Sequence, residues 1–192
     1  MSNQMNAHFF FAMKIPEETK KKLKEYMGDL RPKLTFSRWV HHEDYHITLA
    51  FLGSAPEEKL QKAAKLVTDS IRNEERFPLN ICKLGVFGKQ EAPRIFWCGT
   101  QEDKHLQELR SKVYSACQEA GFELETRPFK PHITMARKWA GIHPFQESML
   151  DVNSPFKDGP LEFKASEVVL YQTRLDKTPK YESIAIFPLL EE

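Results

Sequence analysis

The chain lacks an excess of either charge: 28 Lys and Arg stand against 27 Asp and Glu, a formal net charge of +1 over 192 residues. That balance removes any global pull toward nucleic acid or an anionic membrane and leaves room only for a local basic site. Cysteine is scarce. Cys82, Cys98 and Cys117 are odd in number and none has a close neighbour, which argues against a disulfide scaffold or a zinc knuckle. Structural thiols in a reducing, cytoplasmic setting are expected. Long hydrophobic runs are missing too. Met1–Asn6 is polar with no basic leader, and the apolar stretch after it is broken by Lys14 and Pro16, so no segment is expected to span a membrane. There is no dinucleotide fingerprint, no phosphate-binding glycine loop and no His-Glu-x-x-His helix. No cofactor and no metal are therefore expected.

What is present suits a globular protein. Hydrophobic residues make up 41% of the chain, with 14 Phe, 3 Trp and 5 Tyr to fill a core. The apolar run Ala7–Ile15 predicts a buried strand. Pro16, Glu17 and Glu18 then open a helix whose apolar face carries Leu23, Tyr26 or Met27, and Leu30, and Pro32 ends it. Strands are predicted at Phe36–Val40 and His46–Leu52, and a helix at Pro56–Ile71. Phe77–Phe87 and Ile95–Gly99 read as a strand pair joined around Gly88 and Pro93. A third helix covers Lys104–Ala120. Phe129–Arg137, Leu161–Thr173 and Tyr181–Leu189 read as strands. Ala140–Pro160 is the least regular stretch, a long connection with a short helix. Strands come in neighbouring pairs, so an α+β architecture with antiparallel sheets is expected. No linker or low-complexity tract divides the chain, which predicts one domain over residues 1–192.

One hexapeptide occurs nearly twice. His46-Ile-Thr-Leu-Ala-Phe51 and His132-Ile-Thr-Met-Ala-Arg137 share four of six positions, 86 residues apart. Both copies lie in apolar strands, and each lies upstream of a segment able to complete a lobe. A duplication with pseudo-twofold symmetry would bring them face to face. Residues two apart on a strand share a face, so His46 and Thr48 point one way, as do His132 and Thr134. Ile47, Leu49, Ile133 and Met135 take the other face and anchor each strand in the core. An imidazole exchanges protons near neutrality. One could take a proton from water and the other give one to a leaving oxygen, while the threonine hydroxyls hold phosphate oxygens.

The neighbourhood of the second copy adds charge. Arg127, Lys130, Arg137 and Lys138 form a basic run with no acidic residue between Thr126 and Pro144, a candidate contact for an anionic substrate. Strict alternation puts Arg137 on the face opposite His132; it reaches the cleft only if the strand ends or bulges near Ala136. Lys20, Lys21, Lys22 and Lys24 read as the wet face of a helix. Trp39, Tyr45, Phe51, Phe129 and Trp139 flank the two copies and could stack on a base or pack in a core. His8, His41, His42, His105 and His143 lie at strand, turn, helix-start and loop positions without a partner pattern.

The pair of His-x-Thr-x motifs resembles the two-histidine phosphoesterase superfamily, and most closely its RNA 2′,3′-cyclic phosphodiesterases, also described as 2′-5′ RNA ligases. Phe9-Phe10-Phe11-Ala12 before Ile15-Pro16, the run Leu49–Gly53, Pro131 before His132 and Arg137 after it extend the resemblance from about Ala7 to Leu189. The resemblance implies two pseudo-symmetric lobes with antiparallel sheets facing a central cleft and helices on the outer faces. It implies hydrolysis of RNA 2′,3′-cyclic phosphate ends to 2′-phosphate ends without metal or cofactor. His46 would be the proton donor and His132 the acceptor. Thr48 and Thr134 would hold the phosphate with Arg137 as helper; Arg127, Lys130, Tyr45, Phe51 and Phe129 are further candidates for RNA contact. Two alternatives stand beside this: a related enzyme acting on other cyclic phosphates or 2′-5′ linkages, and a non-catalytic RNA-end-binding module. No obligate protein partner is expected.

Overall fold

The computed structural model describes residues 7–191; the polar start Met1–Asn6 lies outside the described residues. The first strand, β1 (Phe9–Lys14), leads through Pro16 into helix α1 (Glu17–Leu30). Glu17 and Glu18 occupy the positive end of α1, while Leu23, Met27 and Leu30 are buried. The lysine stripe of this helix is not uniformly wet. Lys20 is 5% exposed, and its ammonium donates to the Glu43 carbonyl at 3.0 Å.

The chain continues through β2 (Phe36–Trp39), a short 3-10 turn at His42–Asp44, β3 (His46–Gly53) and α2 (Glu57–Ile71). A long hairpin follows, β4 (Phe77–Lys89) and β5 (Ala92–Thr100). Its pairing continues to Lys89 opposite Ala92, so the turn is Gln90–Glu91 and Gly88 and Pro93 lie within the ladder, not in the connection. Helix α3 (Lys104–Glu119) is capped by the Asp103 carboxylate, which accepts from the Leu106 N–H at 2.8 Å. Then come β6 (His132–Trp139), a short α4 (Ser148–Asn153), β7 (Leu161–Ala165), β8 (Glu167–Thr173) and β9 (Tyr181–Pro188).

Two antiparallel sheets result, with orders β3-β1-β8-β9 and β2-β6-β5-β4-β7. Each contains one motif strand; the resemblance implies central strands, but β3 is the edge of its sheet and β6 lies one in from an edge. The strands of the two sheets are not consecutive in sequence. The second sheet takes β2 from the N-terminal third, and the first takes β8 and β9 from the end of the chain. Each motif copy is therefore not simply completed by the segment that follows it. The predicted strand Leu161–Thr173 is two strands in different sheets. Ser166 breaks it, β7 pairing with β4 and β8 with β1. A strand that changes sheet at a corner keeps its apolar character, so composition alone hides the switch.

One apolar core holds both sheets. The inward side chains Ile47 and Leu49 of β3, Ile133 and Met135 of β6, Leu60, Val67 and Ile71 of α2 and Leu106, Leu109 and Val113 of α3 belong to a single buried cluster. A smaller cluster, Phe10, Ala12, Val169 and Tyr171, lies on the other face of the first sheet. β3 and β6 are hydrogen-bonded into different sheets yet approach each other, and the cleft opens between them.

Candidate active site

The cleft contains a cavity of about 180 Å³ lined by both motif histidines, both motif threonines, Arg137 and Phe51. Val40, Asp44, Ile95, Thr173, Phe10 and Tyr181 complete its wall. Period-two alternation accounts for the first four. His46 and Thr48 face the cavity from β3 while Ile47 and Leu49 are buried behind, and β6 repeats the arrangement with His132, Thr134, Ile133 and Met135.

The two strands also share an irregularity. Along β1, Phe11 pairs with Ala50 and the next residue, Ala12, with Thr48, leaving Leu49 as an extra residue. Along β5, Phe96 pairs with Ala136 and Trp97 with Thr134, leaving Met135 extra. Each strand thus buries two successive residues, Leu49-Ala50 and Met135-Ala136, and the alternation restarts one step later. The residue after each bulge returns to the cavity side. On β6 that residue is Arg137; on β3 it is Phe51, 54% exposed. Arg137 reaches the cleft by the route the sequence left open.

Both imidazoles are held in the same way. His46 Nδ1 lies 2.7 Å from the carbonyl of Asp44, and His132 Nδ1 lies 2.7 Å from the carbonyl of Lys130. A carbonyl only accepts, so each Nδ1 carries the proton and each Nε2 is left for the cavity. Thr48 Oγ1 is 3.0 Å from His46 Nε2 and donates to it when the ring is neutral. Asp44 has a second task. Its carboxylate accepts the backbone N–H groups of Lys180 and Tyr181, each at 3.1 Å, and so fixes the start of β9 beside His46.

The surroundings of the two rings differ. His46 packs against Phe10 (centroids 4.8 Å) and edge-on to Tyr181 (5.1 Å). Burial there pushes it down to about 4, against the pull of the Asp44 carbonyl and helped by the charges of His132, Lys20 and Lys180. His132 meets Phe87 edge-on at 4.9 Å and lies 6.3 Å from Trp97. Burial lowers it as well, opposed by the Lys130 carbonyl and reinforced by Arg137. Trp97 is itself laid across Gly85 on the neighbouring strand, where a β-carbon would collide with the indole.

Several candidate contacts lie elsewhere. Tyr45 is 3% exposed and packs in the main core, so its ring does not reach the cleft. Phe129 precedes the strand instead of opening it, because Pro128 and Pro131 supply no N–H for a ladder. Its ring packs on the core and beneath the Arg110 guanidinium at 5.1 Å. The Lys130 side chain is exposed and lines neither depression of the cleft; its carbonyl, not its charge, serves the site. Arg127 is exposed beside the cleft and paired with Glu125. Trp39 and Trp139 pack around Phe36. Phe10, Tyr181 and Asp44 also border the cavity without any mark in the sequence. A wholly apolar strand gives no sign that one face meets an imidazole, and a backbone carbonyl carries no residue-type signal. Among the described residues no three His, Cys, Asp or Glu side chains cluster as a metal set.

A family model described as the 2′-5′ RNA ligase superfamily matches residues 16–177. An RNA 2′,3′-cyclic phosphodiesterase of Geobacillus stearothermophilus is 46% identical over 184 residues, covering 96% of this chain and 58% of that protein. The chain thus spans little more than half the length of that relative. An RNA 2′,3′-cyclic phosphodiesterase of Bacillus subtilis strain 168 is 36% identical over 182 residues, covering 95% of this chain and 96% of that one. Among solved structures, TT0787 of Thermus thermophilus superposes with a TM-score of 0.77 at 26% identity, over 96% of this chain and 99% of its own. Escherichia coli LigT complexed with 3′-AMP gives 0.75 at 23% identity, over 96% and 98%, a likeness of fold.

Proposed function

Because this chain belongs to the 2′-5′ RNA ligase superfamily and, within it, to the RNA 2′,3′-cyclic phosphodiesterases, we propose that its cleft hydrolyses the 2′,3′-cyclic phosphate at an RNA 3′ end and leaves a 2′-phosphate. The observation that carries this reading is the mirrored mounting of two imidazoles. Each Nδ1–H is tied to the carbonyl two residues back, and each ring borders one cavity with a threonine beside it.

Neutral His132 accepts a proton from the attacking water at Nε2. Protonated His46 gives its Nε2 proton to the departing 3′ oxygen. The bond from phosphorus to O3′ breaks as the bond to the water oxygen forms, so one proton enters and one leaves the pair. Negative charge grows on the non-bridging oxygens, where the Thr48 and Thr134 hydroxyls and the Arg137 guanidinium donate. The free cleft keeps both rings largely neutral at pH 7, and the anionic substrate itself raises their affinity for a proton. Phe10 and Tyr181 pack against the ring that delivers its proton to the leaving oxygen and hold its orientation.

The test is phosphorus NMR of a defined cyclic-ended oligoribonucleotide incubated with the protein in EDTA. A 2′-phosphomonoester is the expected product. Unchanged cyclic ends, or 3′-phosphate ends alone, would overturn the reading.

A further inference from the structure

A second depression opens beside the histidine cavity and shares Ile95 and Arg137 with it. It is a groove of about 650 Å³ lined by the cations Arg38, Arg94, Arg127, Arg137 and Lys138 around Phe87. No acidic side chain lines it. Arg127 is paired with Glu125, but among the described residues no carboxylate forms an ion pair with Arg38, Arg94, Arg137 or Lys138. The other lining of the histidine cavity, Phe51, Val40, Thr173 and Tyr181, carries no cation.

Three backbone features collect charge in this groove against the ordinary preferences of a sheet. The bulge at Met135-Ala136 returns Arg137 to the open side. Lys138 has φ +61, the left-handed region that a long side chain rarely adopts. Successive strand residues alternate faces, yet Arg137 and Lys138 line the same depression. On the adjoining strand Arg38 stands directly opposite Arg137, a like-charged cross-strand pair that repels unless an anion lies between.

We propose that this groove holds the phosphodiester backbone of the nucleotides on the 5′ side of the cyclic end, so that the preferred substrate is a single-stranded oligoribonucleotide and not a cyclic mononucleotide. The proposal rests on the cleft being the site of cyclic-phosphate hydrolysis. A 2′,3′-cyclic phosphate is by its chemistry the last group of a strand, so the remaining nucleotides extend from one side only. Five cations line the groove, whereas the lining of the histidine cavity away from it holds none. Bound phosphates displace counterions from the strand and separate the facing guanidiniums, and Phe87 offers a ring against which a base can lie.

The test uses Arg94→Ala and Lys138→Gly, the second chosen because glycine adopts φ +61 without strain and keeps the fold. Binding of a fluorescent 2′-phosphate-ended hexaribonucleotide is read by anisotropy at several salt concentrations, an arm that requires no hydrolysis. In parallel, kcat/KM is measured on a cyclic-ended hexamer and on 2′,3′-cyclic AMP. For each variant, hexamer Kd and KM rise roughly tenfold, the scale of one lost charged hydrogen bond. The salt slope of binding shallows by about 0.7 per lost phosphate contact. Turnover of the cyclic mononucleotide stays within about twofold, since the reacting atoms are untouched. Equal losses on hexamer and mononucleotide, or unchanged hexamer binding, overturn the groove assignment. Hexamer binding that weakens in the variants while the native protein opens no cyclic end would sink the hydrolase reading and leave the groove standing.

Discussion

The two motif strands are copies in backbone and opposites in company. β3 and β6 have the same bulge, the same anchoring of Nδ1 to the carbonyl two residues back, and the same threonine beside each ring. What differs is the residue after the bulge and the cover over the imidazole. On β3 these are Phe51 and a bed of Phe10, Tyr171 and Tyr181; on β6 they are Arg137 and the edge of Phe87 beside a basic groove. The shared backbone presents two imidazoles in the same mounting, and a few side chains then give the two halves unequal surroundings. The aromatic side disfavours charge on His46 and so makes it a strong proton donor once bound phosphate has charged it, and the basic side offers cations to an anion.

The equality of the two rings is tested first, where the largest effect is expected. His46→Ala and His132→Ala should each lower turnover of a cyclic-ended oligonucleotide by about 10²- to 10⁴-fold, the usual worth of one positioned proton transfer. Because the pair acts as a unit, the double variant should lose far less than the product of the single losses. A single variant that keeps near-native turnover with an unchanged far-UV spectrum would break the pairing. The inequality is tested next. Arg137→Phe makes the second strand resemble the first and should reduce kcat by about 10²-fold, comparable to losing one oxyanion donor. Phe51→Ala should change kcat by less than about tenfold, because it removes apolar cover and no charge. Similar losses for the two would deny the division of labour.

Protonation sharpens the same contrast. Burial holds both rings below the ordinary histidine value. The base limb of the rate rises as one ring loses its proton, and the acid limb falls as the other does. The bell in kcat/KM, which reports the free enzyme, should therefore peak below about pH 6.5, while the kcat bell lies higher because bound phosphate favours the charged rings. A kcat/KM maximum above pH 7 would contradict the burial of both rings. The smallest effect is on stability. An unfolded chain protonates His46 near pH 6.5, whereas the folded one resists until about 4. Between those values the unfolded state binds more protons, so stability rises with pH across the window and is lost as pH falls through it. Urea midpoints from pH 7 to pH 4.5 should fall more steeply for the native protein than for His46→Ala; parallel curves would remove His46 as a source of acid sensitivity.

Much of this site was legible in the sequence because it obeys period two. The His-x-Thr spacing puts both side chains on one face of any strand, and the duplication points to an opposing partner. Helices were equally open to reading, since Leu60, Ala63, Val67 and Ile71 repeat at helical spacing and are the buried residues of α2. What stayed hidden breaks the period or depends on distant chain. The bulges that turn Phe51 and Arg137 inward leave no compositional trace. Tyr45 sits beside His46 in sequence, but alternation sends it to the opposite face and into the core. The aromatic bed of His46 is assembled from β1, β8 and β9, and the sequence does not state which strands become neighbours. The break at Ser166 is invisible because both flanking segments are apolar enough for either sheet.

The order in which the strands are laid down has a consequence for how the protein comes into being. Tyr171 and Tyr181, which enclose His46, emerge from the ribosome more than a hundred residues after the histidine they cover. Until then β1 lacks its second neighbour and the first motif stands at an unfinished sheet, so a nascent chain that already holds both histidines is still without the dry pocket that tunes one of them. Closing such distant pairings is slow compared with forming helices. The proposed activity therefore requires β8 and β9 to be in place, and a chain stalled before β8 should carry both imidazoles and almost none of that activity.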